Sequence, residues 1–289
     1  CGRPIQWQMV EWEFPEKRQA EPIDDLLDSC LDDELGFADW TAREENGPKR
    51  QKLRPLAHIT IRDQTLATAV MMCLAEAVET AQGDPTEKDV FKARDRGVVS
   101  YGNRLHCHWD AADKLHARAH FSWGNSRIYR QYFQDYRTFL ARPRRVCAEF
   151  AAQAQAGNEL YVVSLDIKSF FDKVDCSALL KELRKIESEY REEFGLPDSM
   201  APDRIFWRRV GRIFDWAWQE DEHGQASLVN DSNRLDLGLP QGLVASGFLA
   251  NAYLVGLDRR LSELVLVQHQ QDGFKVLDYC RYVDDVRLV

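Results

Sequence analysis

Two acidic points set in apolar, β-prone sequence constrain this chain more than any other feature. YVVSLDI (161–167) is a β-branched run carrying Asp166, and RYVDDVRLV (281–289) alternates like a hairpin whose turn holds Asp284 and Asp285. The first run reads as a buried strand. Asp is disfavoured in strands, so a carboxylate flanked by Val, Leu and Ile calls for an explanation. If the two segments are neighbours, the carboxylates converge at one sheet edge, where they repel unless a cation holds them. Oxygen ligands with no Cys or His at matching spacing favour Mg²⁺, with Mn²⁺ as the alternative, over Zn²⁺. Two such ions clamp an in-line phosphoryl displacement, the chemistry of polymerases and nucleases. A lone Asp would read as an ordinary turn or helix-cap residue; two segments with a third motif between them reverse that reading.

The third motif is GLPQGLVASGFLAN (238–251). Pro240 fixes the backbone, and Gly238 and Gly242 allow close approach to a ligand. The helix that follows directs its first N–H groups there, a favourable place for phosphate. Gln241 offers both a donor and an acceptor. Standing alone, the segment would be a Pro-Gly turn leading into a core helix.

The rest of the chain reads as mixed α and β. LRPLAHITIRD is β-prone, and the following helix has Leu66, Ala69, Val70, Cys73, Leu74 and Ala77 on one face with Asp63 as its cap. AQGDP ends that helix, and GVVSYGNRL reads as strand and turn. Helices are expected over 126–156, through Leu179, Leu183, Ile186 and Tyr190, through Phe206, Val210, Ile213, Phe214 and Ala217, and over 243–264. Ile23, Leu26, Leu27 and Leu31 suit a further helix, and 219–236 reads as loop. Asp172 and Asp175 read as capping residues, and Trp207, Trp216 and Trp218 as core or interface.

Charge is unevenly distributed along the 289 residues, whose net is −9. Residues 1–48 hold 13 acidic against 4 basic side chains, while 86–145 hold 13 basic against 6 acidic. That basic block is interleaved with Tyr101, Trp109, Phe121, Trp123, Tyr129, Tyr132 and Phe133, a pattern suited to nucleic acid as well as to a solvated face. His106, Cys107, His108, His116 and His120 cluster without a complete four-ligand zinc spacing, so a solvated or nucleic-acid-facing segment is the better reading. No apolar run approaches the roughly 20 residues of a membrane span. Seven scattered cysteines with no CxxC read as reduced thiols in a cytoplasmic protein. With no initiator Met and no signal sequence, the chain is read as a piece of a longer one.

LDIKSFFDKVD, GLPQGLVASGFLAN and YVDD, in this order, resemble motifs A, B and C of the reverse transcriptases. LRPLAHITIRDQTLATAV (53–70) is similar to the early finger block of group II intron and related bacterial enzymes, and SYGNRL lies where they carry a Phe-Gly-Phe-Arg-Pro-like block. PQGLVASGFLANAYL with SYGNRL looks closest to the bacterial "unknown group" or abortive-infection class, associated with defence against phages. The resemblance implies an α+β right-hand polymerase: an acidic N-terminal segment at 1–48, fingers at 49–160, and a palm at 161–289. The palm would be a small antiparallel sheet backed by helices, with a long insertion at 176–237. The family's next motif, primer grip and thumb would lie outside this chain.

By that resemblance Asp166, Asp284 and Asp285 are the catalytic acids and, with the Ile167 carbonyl, hold two Mg²⁺ ions. Phe171, five residues after Asp166, takes the place of the gate against a ribose 2′-OH; as a plain reading it is a core residue beside Phe170. Gln241 lies beside the incoming nucleotide. Arg54, Lys52 and Arg62 face the triphosphate, and Arg104 supports that wall. The implied partners are deoxynucleoside triphosphates, an RNA template and a nucleic-acid primer, with a dedicated non-coding RNA and an oligomer left open and no membrane. The implied reaction is RNA-directed DNA synthesis; untemplated or protein-primed synthesis would share every residue, and an idle scaffold retaining the fold is the rival outside enzymology. A viral-type RNA polymerase fits less well with an aromatic at 171.

Overall fold

Four helices among the described residues begin where a short polar side chain, Thr60, Asp89, Asp175 or Asp203, caps them. The computed structural model describes residues 3–10, 54–110, 117–124, 126–152, 159–218, 238–266 and 275–289. Strands β1 (Arg3–Val10) and β2 (Arg54–His58) precede helix α1 (Ile61–Gln82). The Thr60 hydroxyl accepts from the Asp63 amide at 3.2 Å and donates to the Asp63 carboxylate at 2.9 Å. The cap is therefore Thr60, whose hydroxyl is also held by the Asp63 carboxylate, rather than Asp63 itself. Gly83, at φ +71°, closes the helix. Its buried face runs through Ala67, Val70, Met71, Leu74, Ala75 and Val78, so Ala69 and Cys73 face outward, contrary to the expected stripe. The stripe is rotated because α1 is packed by partners on several sides.

Those partners follow in chain order. α2 (Val90–Asp95) is capped by Asp89; β3 (Cys107–Trp109) and β4 (Ala119–Phe121) form a hairpin; α3 spans Tyr132–Ala151. Residues 126–131 are not helical, because Tyr129 bridges to Leu105 instead. α4 (Cys176–Glu193) buries Leu179, Leu183, Ile186 and Tyr190 as their spacing predicts, and Asp175 caps it by accepting from the amides of Ser177 and Ala178. α5 (Arg204–Ile213) stops before Ala217, which lies in strand β6 (Trp216–Trp218) alongside β1. α6 spans Ser246–Leu266, and β7 (Tyr279–Tyr282) turns into β8 (Asp285–Leu288). The main core lies between α1, α4 and α6.

Among the described residues the strands form three small sheets, ordered β2-β1-β6, β3-β4 and β5-β8-β7, where β5 is Val163–Asp166. All pairings are antiparallel except β1 with β6. The expectation of a buried strand at 163–166 is corrected: every residue of β5 is exposed, Leu165 by 49%. β5 is an edge strand with β8 as its one described neighbour, and β-branched sequence alone does not distinguish an edge from a centre. The apolar spacing at 23–31 and the loop expected at 219–236 lie outside the described residues. Cys73, Cys107, Cys147, Cys176 and Cys280 are free thiols. Among the described residues, no helix is long and apolar enough to cross a membrane.

Candidate active site

Strand pairing brings the acidic points together. Asp166 ends β5 directly opposite Asp285, and the Ile167 amide continues the ladder by donating to the Asp284 carbonyl at 3.3 Å. Asp166, Asp284 and Asp285 thus share one end of the β5-β8-β7 sheet. The turn that carries Asp284 is strained. Val283 sits at φ +57°, a region that β-branched side chains rarely occupy and that such two-residue turns usually give to Gly or Asn.

Buried polar groups hold that turn. Gly102 lies so close beneath it that a Cβ there would come within 2.6 Å of the Val283 side chain and 2.8 Å of its amide nitrogen. Arg281, fully buried, donates to both Asp258 carboxylate oxygens at 2.7 Å, to Asn251 Oδ1 at 2.8 Å and to the Val283 carbonyl at 3.3 Å. Asn251 in turn donates to the Gly102 carbonyl at 2.6 Å and the Asn103 carbonyl at 3.2 Å. Tyr279 adds a hydrogen bond to Asp258 at 2.7 Å. Helix α6, the 100–104 loop and the hairpin are therefore locked to one another. Such a charged network is costly to leave half-satisfied, and here each side chain is partnered.

The loop 238–245 is clamped on two sides. The Leu239 amide donates to the Phe171 carbonyl at 2.7 Å, and any Cβ at Gly238 would overlap that carbonyl. On the other side the Gln241 carbonyl accepts from the Ala57 amide at 2.6 Å. Gly242, at φ +114°, leaves no room for a Cβ, which would lie 2.5 Å from the Ala57 carbonyl oxygen. Gln64 grips the loop with both ends of its amide, donating to the Gly242 carbonyl at 2.6 Å and accepting from the Val244 amide at 3.0 Å. Tyr129 donates to the Val244 carbonyl at 2.6 Å, and Ser246 to the Pro240 carbonyl at 2.7 Å.

Most of the side chains singled out by sequence lie among the described residues. Asp166 is exposed; Asp284 and Asp285 are half-buried, and Asp285 lies 3.6 Å from Arg287 Nη1. Phe171 is half-buried, edge-on to the buried Phe170 at 5.7 Å. Gln241 is half-buried beside Gly242, and Arg62 is exposed in the first turn of α1. Arg104 is buried: it pairs with Glu79 at 2.7 Å and donates to the Ser100 and Gly83 carbonyls, so it braces the structure from inside and presents no charge to solvent. Arg54 lies in β2, and Lys52 is outside the described residues. Burial raises the Asp172 pKa.

The carboxylates of Asp166, Asp284 and Asp285 are hard oxygen donors, the kind that Mg²⁺ or Mn²⁺ prefers. Among the described residues, no three His, Cys, Asp or Glu side chains are drawn together closely enough to hold an ion. His120 instead bonds Asp110 at 2.8 Å, and His116 is outside the described residues. Of the aromatics in the basic block, Tyr101 and Phe121 are buried and Trp109 and Tyr129 pack on the core, whereas Trp123, Tyr132 and Phe133 are exposed. Sequence reading passed over Gln64, Asn251, Asp258 and Arg281. The one available signal was charge within apolar runs, at Asp258 and Arg281.

A family model described as reverse transcriptase (RNA-dependent DNA polymerase) matches residues 125–289, more than half of the chain. That span contains Asp166, Phe171, Gln241, Asp284 and Asp285. No curated protein matches the chain.

Proposed function

Because this chain belongs to the reverse transcriptase family, RNA-directed DNA polymerases that transfer nucleotidyl groups, we propose that Asp166, Asp284 and Asp285 are its reaction centre. The supporting observation is the register that sets Asp166 opposite Asp285, beside the strained Asp284 turn. In the reaction a primer 3′-oxygen bonds to the α-phosphorus of a deoxynucleoside triphosphate, the bond to the bridging oxygen breaks, and pyrophosphate leaves. By the family resemblance, and not from the arrangement of these side chains, the three carboxylates and the Ile167 carbonyl would hold two divalent ions, which would supply activation of the hydroxyl and neutralisation of the leaving oxygens. The chain's own contribution is positioning. The clamped 238–245 loop sets Gln241 beside the nucleotide, Arg54, Lys52 and Arg62 meet the triphosphate, and Arg104 braces that wall through Glu79.

On this reading residues 49–160 are fingers, 161–289 are palm with an insertion at 176–237, and 1–48 form an acidic segment before them. The resemblance of SYGNRL and PQGLVASGFLANAYL to the abortive-infection class supports a role in anti-phage defence, with a dedicated RNA among the candidate partners. Primer extension on a defined RNA template, followed by product sequencing, tests the assignment. Complementary DNA is expected. Product independent of the template would replace it with untemplated synthesis, and no product with Mg²⁺ or Mn²⁺ would favour an idle scaffold.

Phe171 carries the choice of sugar. A rigid apolar ring offers a ribose 2′-OH no partner, and stripping that hydroxyl of water costs about 1–3 kcal/mol before any overlap is counted. Phe171→Ala is expected to admit ribonucleotides while deoxynucleotide incorporation continues at a reduced rate. If Phe171 serves only the contact with Phe170, the variant loses thermal stability and both substrates together. Incorporation of each triphosphate, measured alongside a melting curve, separates these outcomes.

A further inference from the structure

One face of α3 carries aromatic rings in solvent, next to the turn described above. Tyr132 is 74% exposed, Phe133 46% and Tyr136 39%. Tyr132, Tyr136, Leu140 and Arg144 recur every four residues and so lie on one stripe, with Phe133 and the exposed Arg137 beside it. No acidic side chain lies on that stripe. Asp135, the helix's first-turn acid, is buried and held by Arg130 at 2.7 Å. The stripe touches the catalytic hairpin at its second ring: Tyr136 meets the Tyr282 ring edge-on at 5.1 Å.

We propose that this face of α3 is a stacking platform for single-stranded nucleic acid passing the reaction centre, with Tyr132 and Phe133 meeting bases and Arg137 and Arg144 meeting phosphates. Exposed rings interleaved with arginines match what an unpaired strand presents, a π-face and a phosphate at each nucleotide. Duplex bases are already stacked on one another and leave such rings without a partner. A protein partner is the less favoured occupant, because the stripe mixes rings with cations and no acid balances them. The inference rests on the polymerase reading for its direction, since contact with Tyr282 is what puts the strand at the site of synthesis. The same chemistry fits a template strand or a newly made one.

The test is fluorescence anisotropy of labelled oligouridylate and oligothymidylate, without divalent ions or triphosphates, on wild type, Tyr132→Ala/Phe133→Ala and Arg137→Gln/Arg144→Gln. Base–aromatic stacking is worth about 5- to 150-fold in affinity per base, so the aromatic double variant should bind at least about tenfold more weakly. The arginine double variant should lower the slope of log affinity against log salt by about 1–2. Preferential loss of oligouridylate would identify the template strand, and preferential loss of oligothymidylate the product strand. Both pairs of side chains are solvent-facing, so melting curves should coincide with wild type. Crosslinking of 5-iodouridine oligonucleotide to wild type, mapped to 132–137, gives a reading independent of the variants. Unchanged affinity in both double variants with intact melting would overturn the proposal, as would crosslinks mapping only elsewhere. So would a wild type that binds neither oligonucleotide. Strand binding by α3 in a protein that synthesises no DNA would leave the platform standing and remove the polymerase reading instead.

Discussion

Asp284→Ala and Asp166→Ala proteins are expected to lose primer extension by at least about 10²–10³-fold, the scale on which removal of preorganised electrostatic stabilisation acts. The loss should be larger if the carboxylate also holds an ion. The register places Asp166 across from Asp285, and the ladder continues from Ile167 to Asp284, so the three acids lie at one sheet end, where a divalent ion held by them would neutralise charge developing on the phosphate. Asp166 is exposed and Asp284 is half-buried in a turn, so neither substitution opens a cavity. Melting midpoints should therefore stay close to wild type, which separates lost chemistry from lost fold. Variant protein that folds and extends primers at near wild-type rate would remove these residues from the mechanism.

Asp258→Ala should carry the largest stability cost of any single change in the hairpin's support. Arg281 is fully buried, and Asp258 is its bidentate partner. Removing one member of a buried pair leaves an uncompensated charge, typically costing about 3–5 kcal/mol, a large share of ordinary domain stability. The loss also reaches the turn, because the same guanidinium touches the Val283 carbonyl and Asn251. Denaturant unfolding should show a lower midpoint at unchanged slope. Asp258→Asn, which keeps one acceptor, should recover part of the difference. Equal stability of Asp258→Ala and wild type would mean that the network carries no net load.

What the sequence revealed and what it hid divide along physical lines. The hairpin at 279–288 and the α4 face were legible because both repeat at the period of their secondary structure, and an Asp among Val and Leu stands out against either period. The bracing of the turn was not. Arg281, Asp258 and Asn251 meet across 23 and 30 residues of chain, and each taken alone resembles an ordinary helix or strand polar residue. Gln64 reaches Gly242 across 178 residues, which no local pattern encodes. Arg104 shows the converse. Its place in SYGNRL was visible, but its burial against Glu79 depends on α1, which packs over it.

The exposed edge position of β5 has a consequence in exchange kinetics. β7 is buried, paired to β8 and tied on its other side through Arg281 to Val99 and Tyr101, whereas β5 has β8 as its one described neighbour and no buried side chain. Protection from solvent hydrogen follows the free energy of local opening, which is lowest where few apolar contacts resist it. The amides of 163–166 should therefore exchange well before those of 279–282. Asp284 and Asp285 follow directly on the slowly opening β7, in the turn and in β8, whereas Asp166 ends the strand expected to open first. Substrate capture should be visible as slowed exchange at Asp166's strand alone, against an unchanged background in the hairpin.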